Sequence, residues 1–117
     1  MAMFSIVEKK SNLLIGTCSL RSINHQHRNA ELQIRIGVAK ARGVGYGVEA
    51  VNLLLDHAFL DLNLQRVFLN VFEGNEVAIA AYKKCGFEME GCQRRAVFID
   101  GKYLDVYMMS VLATYNE

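Results

Sequence analysis

Hydrophobic and polar residues alternate most cleanly over residues 31–38. Leu32, Ile34 and Ile36 fall on one side and Glu31, Gln33 and Arg35 on the other. A period of two predicts a half-buried strand. Residues 4–8 and 13–23 are β-rich as well, and the polar turn Lys9-Lys10-Ser11-Asn12 separates them. Gly16 marks a bulge or a close contact in the second of these strands. A polar loop over residues 24–29 leads into the third, so the first three strands most simply form an antiparallel meander.

Beyond residue 47 the period changes. Ala50, Val51, Leu54, Ala58 and Phe59 recur at helical spacing and predict a helix over residues 47–60. Asp61-Leu62-Asn63 ends it, with Asn63 suited to a left-handed cap. Residues 66–72 carry apolar side chains on both faces, which predicts a buried central strand. Strand, helix and strand in this order imply a right-handed parallel crossover. Asn75 is a good N-cap for a helix over residues 76–84, which Lys83, Lys84 and Gly86 suit at its end. Residues 87–99, bulged near Gly91, and residues 102–112 form the last two strands, with the hairpin pair Asp100-Gly101 between them. The expected fold is α/β, a mixed sheet of about six strands with two helices.

The first candidate chemistry lies between the third strand and the first helix, at Arg42-Gly43-Val44-Gly45-Tyr46-Gly47. Glycine lets a ligand approach the backbone closely. A helix starting here directs unpaired N–H groups and its positive dipole end at an anion. Arg42 adds a cation, and a phosphate or pyrophosphate is the simplest ligand. The alternative is a tight turn that binds nothing. The dinucleotide fingerprint is excluded, because Val48 stands where its third glycine belongs and no acidic residue follows at the right distance. No Gly-Lys-Ser/Thr follows for a P-loop.

Composition narrows the class further. At 117 residues the chain is expected to be one domain, and 52% hydrophobic with 21% charged residues suits a globular protein. A net charge of +1 with scattered basic residues argues against a nucleic-acid or membrane partner. Cys18, Cys85 and Cys92 make no C-x-x-C pair, and no signal peptide is evident, so reduced thiols in a cytoplasmic protein are expected. His25 and His27 lie on a polar loop with no third ligand in sight, so no metal site is expected.

The second informative segment runs from Asn75 through Tyr82 to Gly86-Phe87. With Arg42, Gly45 and Gly47 it resembles the GNAT superfamily of N-acetyltransferases, which use acetyl-coenzyme A. The family's pyrophosphate loop is Arg/Gln-x-x-Gly-x-Gly/Ala. Its second motif is an Asn, a helix carrying Tyr, then Gly-Phe. Leu62-Asn63-Leu64-Gln65-Arg66-Val67 and Gly101-Lys102-Tyr103 look like the branch with ribosomal-protein N-terminal and spermidine acetyltransferases. The resemblance covers about residues 4–112 and implies a GNAT-like fold across residues 1–117.

That resemblance implies a set of roles. Strands 31–38 and 66–72 would splay apart to admit the pantetheine arm, with Ile36 and Val38 pairing to it by their backbones. Arg42, Gly43, Val44, Gly45, Tyr46 and Gly47 would hold the pyrophosphate, and Asn75 would reach the pantetheine end. Tyr82 would protonate the leaving thiolate; the alternative is a core aromatic at helical spacing. Glu31 would serve as base, directly or through water; the alternative is a solvent-facing carboxylate. The activity implied is acetyl transfer to a primary amine, whether a protein N-terminus, a polyamine or another small amine. The family normally places a strand and two helices before the segment matching Phe4, on the acceptor side. Their absence here implies a shortened fold that dimerises, and leaves open a non-catalytic acyl-coenzyme A-binding or interaction module.

Overall fold

A computed structural model of the chain describes residues 2–8, 13–36 and 46–113. They form one mixed sheet and two helices in the order β1 (Ala2–Glu8), β2 (Leu13–Asn24), β3 (Asn29–Ile36), α1 (Tyr46–Asp56), β4 (Arg66–Phe72), α2 (Glu76–Lys84), β5 (Glu88–Ile99) and β6 (Lys102–Leu112). The sheet order is β1-β2-β3-β4-β6-β5. The expected meander is present: β1, β2 and β3 are antiparallel in sequence order. Register slips between Ile6 and Val7, opposite Gly16, where a bulge was expected. β3 and β4 are parallel, and α1 lies in the crossover between them. β4, β6 and β5 are again antiparallel.

The core lies on one face of this sheet. Cys18, Leu20, Ala30, Leu32, Val67, Leu69 and Met109 point to that face and are buried. The register sets Leu20 beside Leu32, Ala30 beside Val67 and Leu69 beside Met109, so these side chains share a side. Both helices cover them. Ala50, Val51, Leu54, Leu55 and Ala58 form the buried stripe of the first, and Ile79 that of the second. Spacings of one, three and four place such residues on one helical face.

The first helix differs from the expected 47–60 span. α1 ends at Asp56 and continues as a π turn, His57–Asp61. The wider turn is closed by Leu62 N–H donating to His57 O at 3.0 Å and Leu64 N–H to Ala58 O at 2.9 Å. It keeps Ala58 buried while the chain leaves the helix. Asn63 then takes the left-handed conformation expected of it, with φ +56°. The turn into β3 is also shorter than the expected loop: β2 runs to Asn24 and β3 starts at Asn29. Asn24 Oδ1 accepts from His27 N–H at 2.8 Å and holds that turn.

β4 is central, as its sequence suggests, but it is not buried on both faces. Val67, Leu69 and Val71 are buried, whereas Phe72 is 44% exposed and Phe68 half-buried. The helices lie against one side only, so apolar content on the other side does not amount to burial. Leu69→Ala is therefore expected to cost about 2–5 kcal/mol, and Phe72→Ala under about 1 kcal/mol. Urea unfolding followed by circular dichroism measures both, and equal costs would mean that the second face is also core.

Candidate active site

The site begins where two strands stop pairing. Among the described residues β3 and β4 pair at Asn29 with Arg66, Ala30 with Val67, and Glu31 with Phe68, and no further. β3 continues to Ile36 and β4 to Phe72, each still paired on its outer side, to β2 and β6. The two strands therefore part after Glu31 and Phe68, leaving facing backbone edges that an extended ligand can join as a strand would. Ile36 lies on the β3 side of this opening. Val38, Arg42, Gly43, Val44 and Gly45 lie outside the described residues. Tyr46 and Gly47 open the first turn of α1.

Tyr82 enters from the helical layer. It lies in the last turn of α2, half-buried against the core. The end of that helix is fixed by a pair of crossed hydrogen bonds: Phe87 N–H donates to Tyr82 O at 3.1 Å and Gly86 N–H to Lys83 O at 3.1 Å. This is the Schellman arrangement, which needs a left-handed residue after the cap. Gly86 supplies it with φ +95°. The motif brings Phe87 back onto Tyr82, ring centroids 5.8 Å apart. Burial pushes the Tyr82 hydroxyl up from its ordinary value, and the neighbouring Cys85 adds to the shift. A phenol held protonated in this way can donate a proton. The Cys85 thiol donates to Val48 O at 3.7 Å, tying the end of α2 to the first turn of α1.

Asn75 stands at the N-cap position of α2, but its side chain makes no capping hydrogen bond among the described residues. Its backbone makes the ordinary bonds of the position: Asn75 O accepts the first intrahelical bond, from Ile79 N–H at 3.1 Å, and Asn75 N–H donates to Phe72 O at 3.2 Å. The expected side-chain cap is thus absent among the described residues, and Asn75 is exposed in the short turn between β4 and α2.

Glu31 sits on the opposite face. Its neighbours Ala30 and Leu32 are buried under the helices, so the pleat turns Glu31 away from them. It is half-buried, between Arg21 on β2 and Phe68 on β4. Tyr82 thus belongs to the helix-covered side of the sheet and Glu31 to the other side, on the last rung before β3 and β4 part.

A further group on this second face escaped the sequence reading. Arg66 forms a two-point ion pair with Glu90, Nη2 to Oε1 at 2.8 Å and Nη1 to Oε2. Ser110 Oγ donates to Glu90 Oε2 at 2.7 Å. These hydrogen bonds, Arg66 first, hold the Glu90 carboxyl down at about 2. The residues come from three strands, so no spacing along the chain could have paired them. His57 Nδ1 meets Asp61 Oδ2 at 2.8 Å within the π turn, away from the opening. Among the described residues no His, Cys, Asp and Glu side chains gather as a metal ion would require.

Residues 1–88 match the family described as the acetyltransferase (GNAT) domain. The chain belongs to the GNAT acetyltransferase family. It is 39% identical over 107 residues to a spermidine N(1)-acetyltransferase of Vibrio cholerae, covering 92% of this chain and 61% of that one. It is 40% identical over 96 residues to the Escherichia coli K12 spermidine N(1)-acetyltransferase, covering 82% and 51%. The Vibrio cholerae enzyme, solved with CoA and spermine, superposes with a TM-score of 0.86 at 37% identity, over 94% of this chain and 64% of that one. The chain therefore spans between about half and just under two thirds of the length of these relatives. In this GNAT domain the mixed sheet, the parallel crossover and the two helices are the expected fold. The motif Gly86-Phe87 has a plain physical reason here, since it closes α2 and seats Tyr82.

That reason is testable. A Cβ at position 86 would meet Val111 Cγ2 at an ordinary 3.6 Å, so the strain in Gly86→Ala comes from φ +95° and not from space. The change is expected to cost about 1–2 kcal/mol. Gly91→Ala, with no left-handed φ and nothing within 4 Å, is expected to be near neutral. Thermal melts of both variants check this, and equal melting temperatures would remove the strain argument.

Proposed function

We propose that this chain is an acetyl-coenzyme A-dependent N-acetyltransferase that acts on a primary amine, with a polyamine as the first acceptor to try. Residues 1–117 act as one catalytic domain of a cytoplasmic protein. The observation that carries the reading is the parting of β3 from β4 after Glu31 and Phe68, with Glu31 on the last shared rung and Tyr82 in the helical layer. Facing strand edges, an unspent carboxamide at Asn75 and a half-buried, protonated phenol fit an acyl thioester on an extended arm. The related Vibrio cholerae enzyme was solved with CoA and spermine.

Each residue then has a task. Backbone groups from Ile36 to Val38 pair with the pantetheine arm. Amides of Gly43, Val44, Gly45, Tyr46 and Gly47, with Arg42, hold the pyrophosphate at the start of α1. Asn75 orients the pantetheine end. When bound, acetyl-coenzyme A supplies an activated acetyl group. An alkyl amine is mostly protonated at neutral pH, so Glu31 removes a proton, directly or through water. The amine nitrogen forms its bond to the acetyl carbon, an N–H on the β3 edge receives the oxyanion charge, and the carbon–sulfur bond breaks. Tyr82 gives its proton to the departing sulfur and regains one from the acylated nitrogen through water. Donor and acceptor would meet from opposite faces of the sheet, the faces to which Tyr82 and Glu31 belong. The second reading, a module that binds acyl-coenzyme A without turnover, needs only the first half of this arrangement.

We also infer that the chain assembles with copies of itself, a homodimer being the smallest unit. β5 is a 12-residue edge strand with almost every side chain exposed. Its hairpin with β6 reaches past the end of β4 and presents Phe98 at 63% and Tyr103 at 60% exposure, rings edge to face at 4.9 Å. Open edges and bare aromatic pairs invite pairing. A spermidine N-acetyltransferase of Vibrio cholerae with a TM-score of 0.83 was solved as a dodecamer.

Calorimetric titration with acetyl-coenzyme A is expected to show binding that Gly45→Val abolishes, because a β-branched side chain blocks approach to the loop. Equal affinity in both proteins would end the assignment of the loop. Tyr82→Phe is expected to lower kcat by ~10²-fold with cofactor affinity kept. The raised hydroxyl pKa places the alkaline loss of kcat above the ordinary tyrosine range, because activity falls as the donor deprotonates. An unchanged kcat would leave Tyr82 a packing residue, and binding without turnover on any amine would favour the second reading.

Light scattering at micromolar concentration is expected to give a dimer or a multiple of it, and Phe98→Lys to shift it toward monomer. A wild-type monomer would refute the assembly.

A further inference from the structure

On the second face of the sheet, one set of side chains has no task in acetyl transfer as derived above. In β5 the register slips between Met89 and Gly91, which makes Glu90 the extra residue of a bulge. A bulge re-aims the side chain it carries. Here the carboxylate crosses β6, where Ser110 Oγ donates to it at 2.7 Å, and meets Arg66 on β4. Both carboxylate oxygens engage the guanidinium, a geometry that an ammonium does not reproduce. The same guanidinium lies 5.5 Å from the centre of the Phe68 ring. Phe68 is the β4 member of the last rung before the strands part, and Glu31 is the β3 member. A line of contacts thus runs from the edge strand, over β6, to the rung that carries Glu31.

Stability is a weak reason for this arrangement. Arg66 and Glu90 each leave about a third of the side chain exposed, 33% and 34%, and pairs of that exposure contribute roughly 0–1 kcal/mol. Geometry is the stronger reason. The end rung of a short ladder has a partner on one side only along the strands and is the first to fray. A rigid fork on β4, anchored two strands away, restrains it. Ser110 is 7% exposed, so its hydroxyl is committed to Glu90.

We propose that the Arg66–Glu90 pair is a positioning element for acetyl transfer, fixing Phe68 and, through the shared rung, the Glu31 carboxylate where β3 and β4 diverge. The proposal rests on the acetyltransferase reading for its effect on rate, though not for its effect on the rung. Misplacing a reacting group by about 1 Å can cost ~10²-fold, so the pair need not touch the substrate to matter.

The experiment compares Arg66→Met, Arg66→Lys, Glu90→Gln and the double variant Arg66→Met/Glu90→Gln. Kinetics with acetyl-coenzyme A and spermidine are read beside acetyl-coenzyme A affinity, melting temperature and amide hydrogen exchange. Each single variant is expected to lose ~10-fold or more in kcat, with cofactor affinity within about 2-fold of wild type. The double variant should be no worse than either single, because both remove one contact. Arg66→Lys should fail to rescue, since it keeps the charge and loses the fork. Exchange should accelerate at Ala30, Glu31, Val67 and Phe68 and stay as in wild type at the β1–β2 pairs. Additive losses, losses that track melting temperature, or unchanged exchange at the rung would each overturn the proposal. If the wild type acetylates no amine, the acetyltransferase reading falls, and the exchange pattern still decides whether the pair holds the rung.

Discussion

Three rungs of parallel pairing carry the sheet from β3 to β4 among the described residues, and the shortness of that ladder is the constraint on which the rest depends. Backbone groups in a sheet are normally matched along the full strand, because an unmatched buried donor or acceptor is costly. β4 meets this demand on its outer side for its whole length, and β3 does so from Glu31 to Ile36. Their inner edges beyond Glu31 and Phe68 are left for something else. A ligand that supplies donors and acceptors along an extended backbone-like arm is the chemical complement of such an edge. The opening is therefore a consequence of strand pairing rather than of any single catalytic side chain.

The side chains around it are placed by unrelated local devices. The left-handed turn at Gly86 fixes Tyr82 by ending α2 in one way. The pleat of β3 fixes Glu31 by burying Ala30 and Leu32. The bulge at Glu90 reaches Arg66 from the sheet edge. Each device is energetically modest, on the order of 1 kcal/mol, and the second and third bear on the same rung, Glu31 with Phe68. The reaction proposed above draws its acid from the helical layer and its carboxylate from the open face of the sheet.

Much of this was legible in the sequence. β4, α2 and β6 have the expected limits because their signals are local: an unbroken β-rich run, an Asn and a Gly bracketing nine helical residues, and Asp100-Gly101 setting a turn with φ +51° and +76°. The misses have physical reasons. Periodicity sees apolar residues at Phe68 and Phe72 but not which face the helices choose. Asn75 satisfies the pattern of a cap residue, while residue type alone does not fix the side-chain rotamer that a capping bond needs. The apolar run past Asp56 reads as one helix, since a π turn changes the ladder without changing the residue types. The Arg66–Glu90–Ser110 group was invisible because it forms across β4, β6 and β5.

The short ladder also has a kinetic meaning. It divides the sheet into two assemblies, β1-β2-β3 and β4-β6-β5, with α1 as the segment between them. The first is built from successive hairpins and the second around the tight Asp100-Gly101 hairpin, so most pairing within each half closes a short loop. Joining the halves requires Glu31 to find Phe68 across the whole helical crossover, a long closure that no hairpin shortens. The expected order is two half-sheets first and the joint between them last, so the cleft would be the final part of the molecule to acquire its shape.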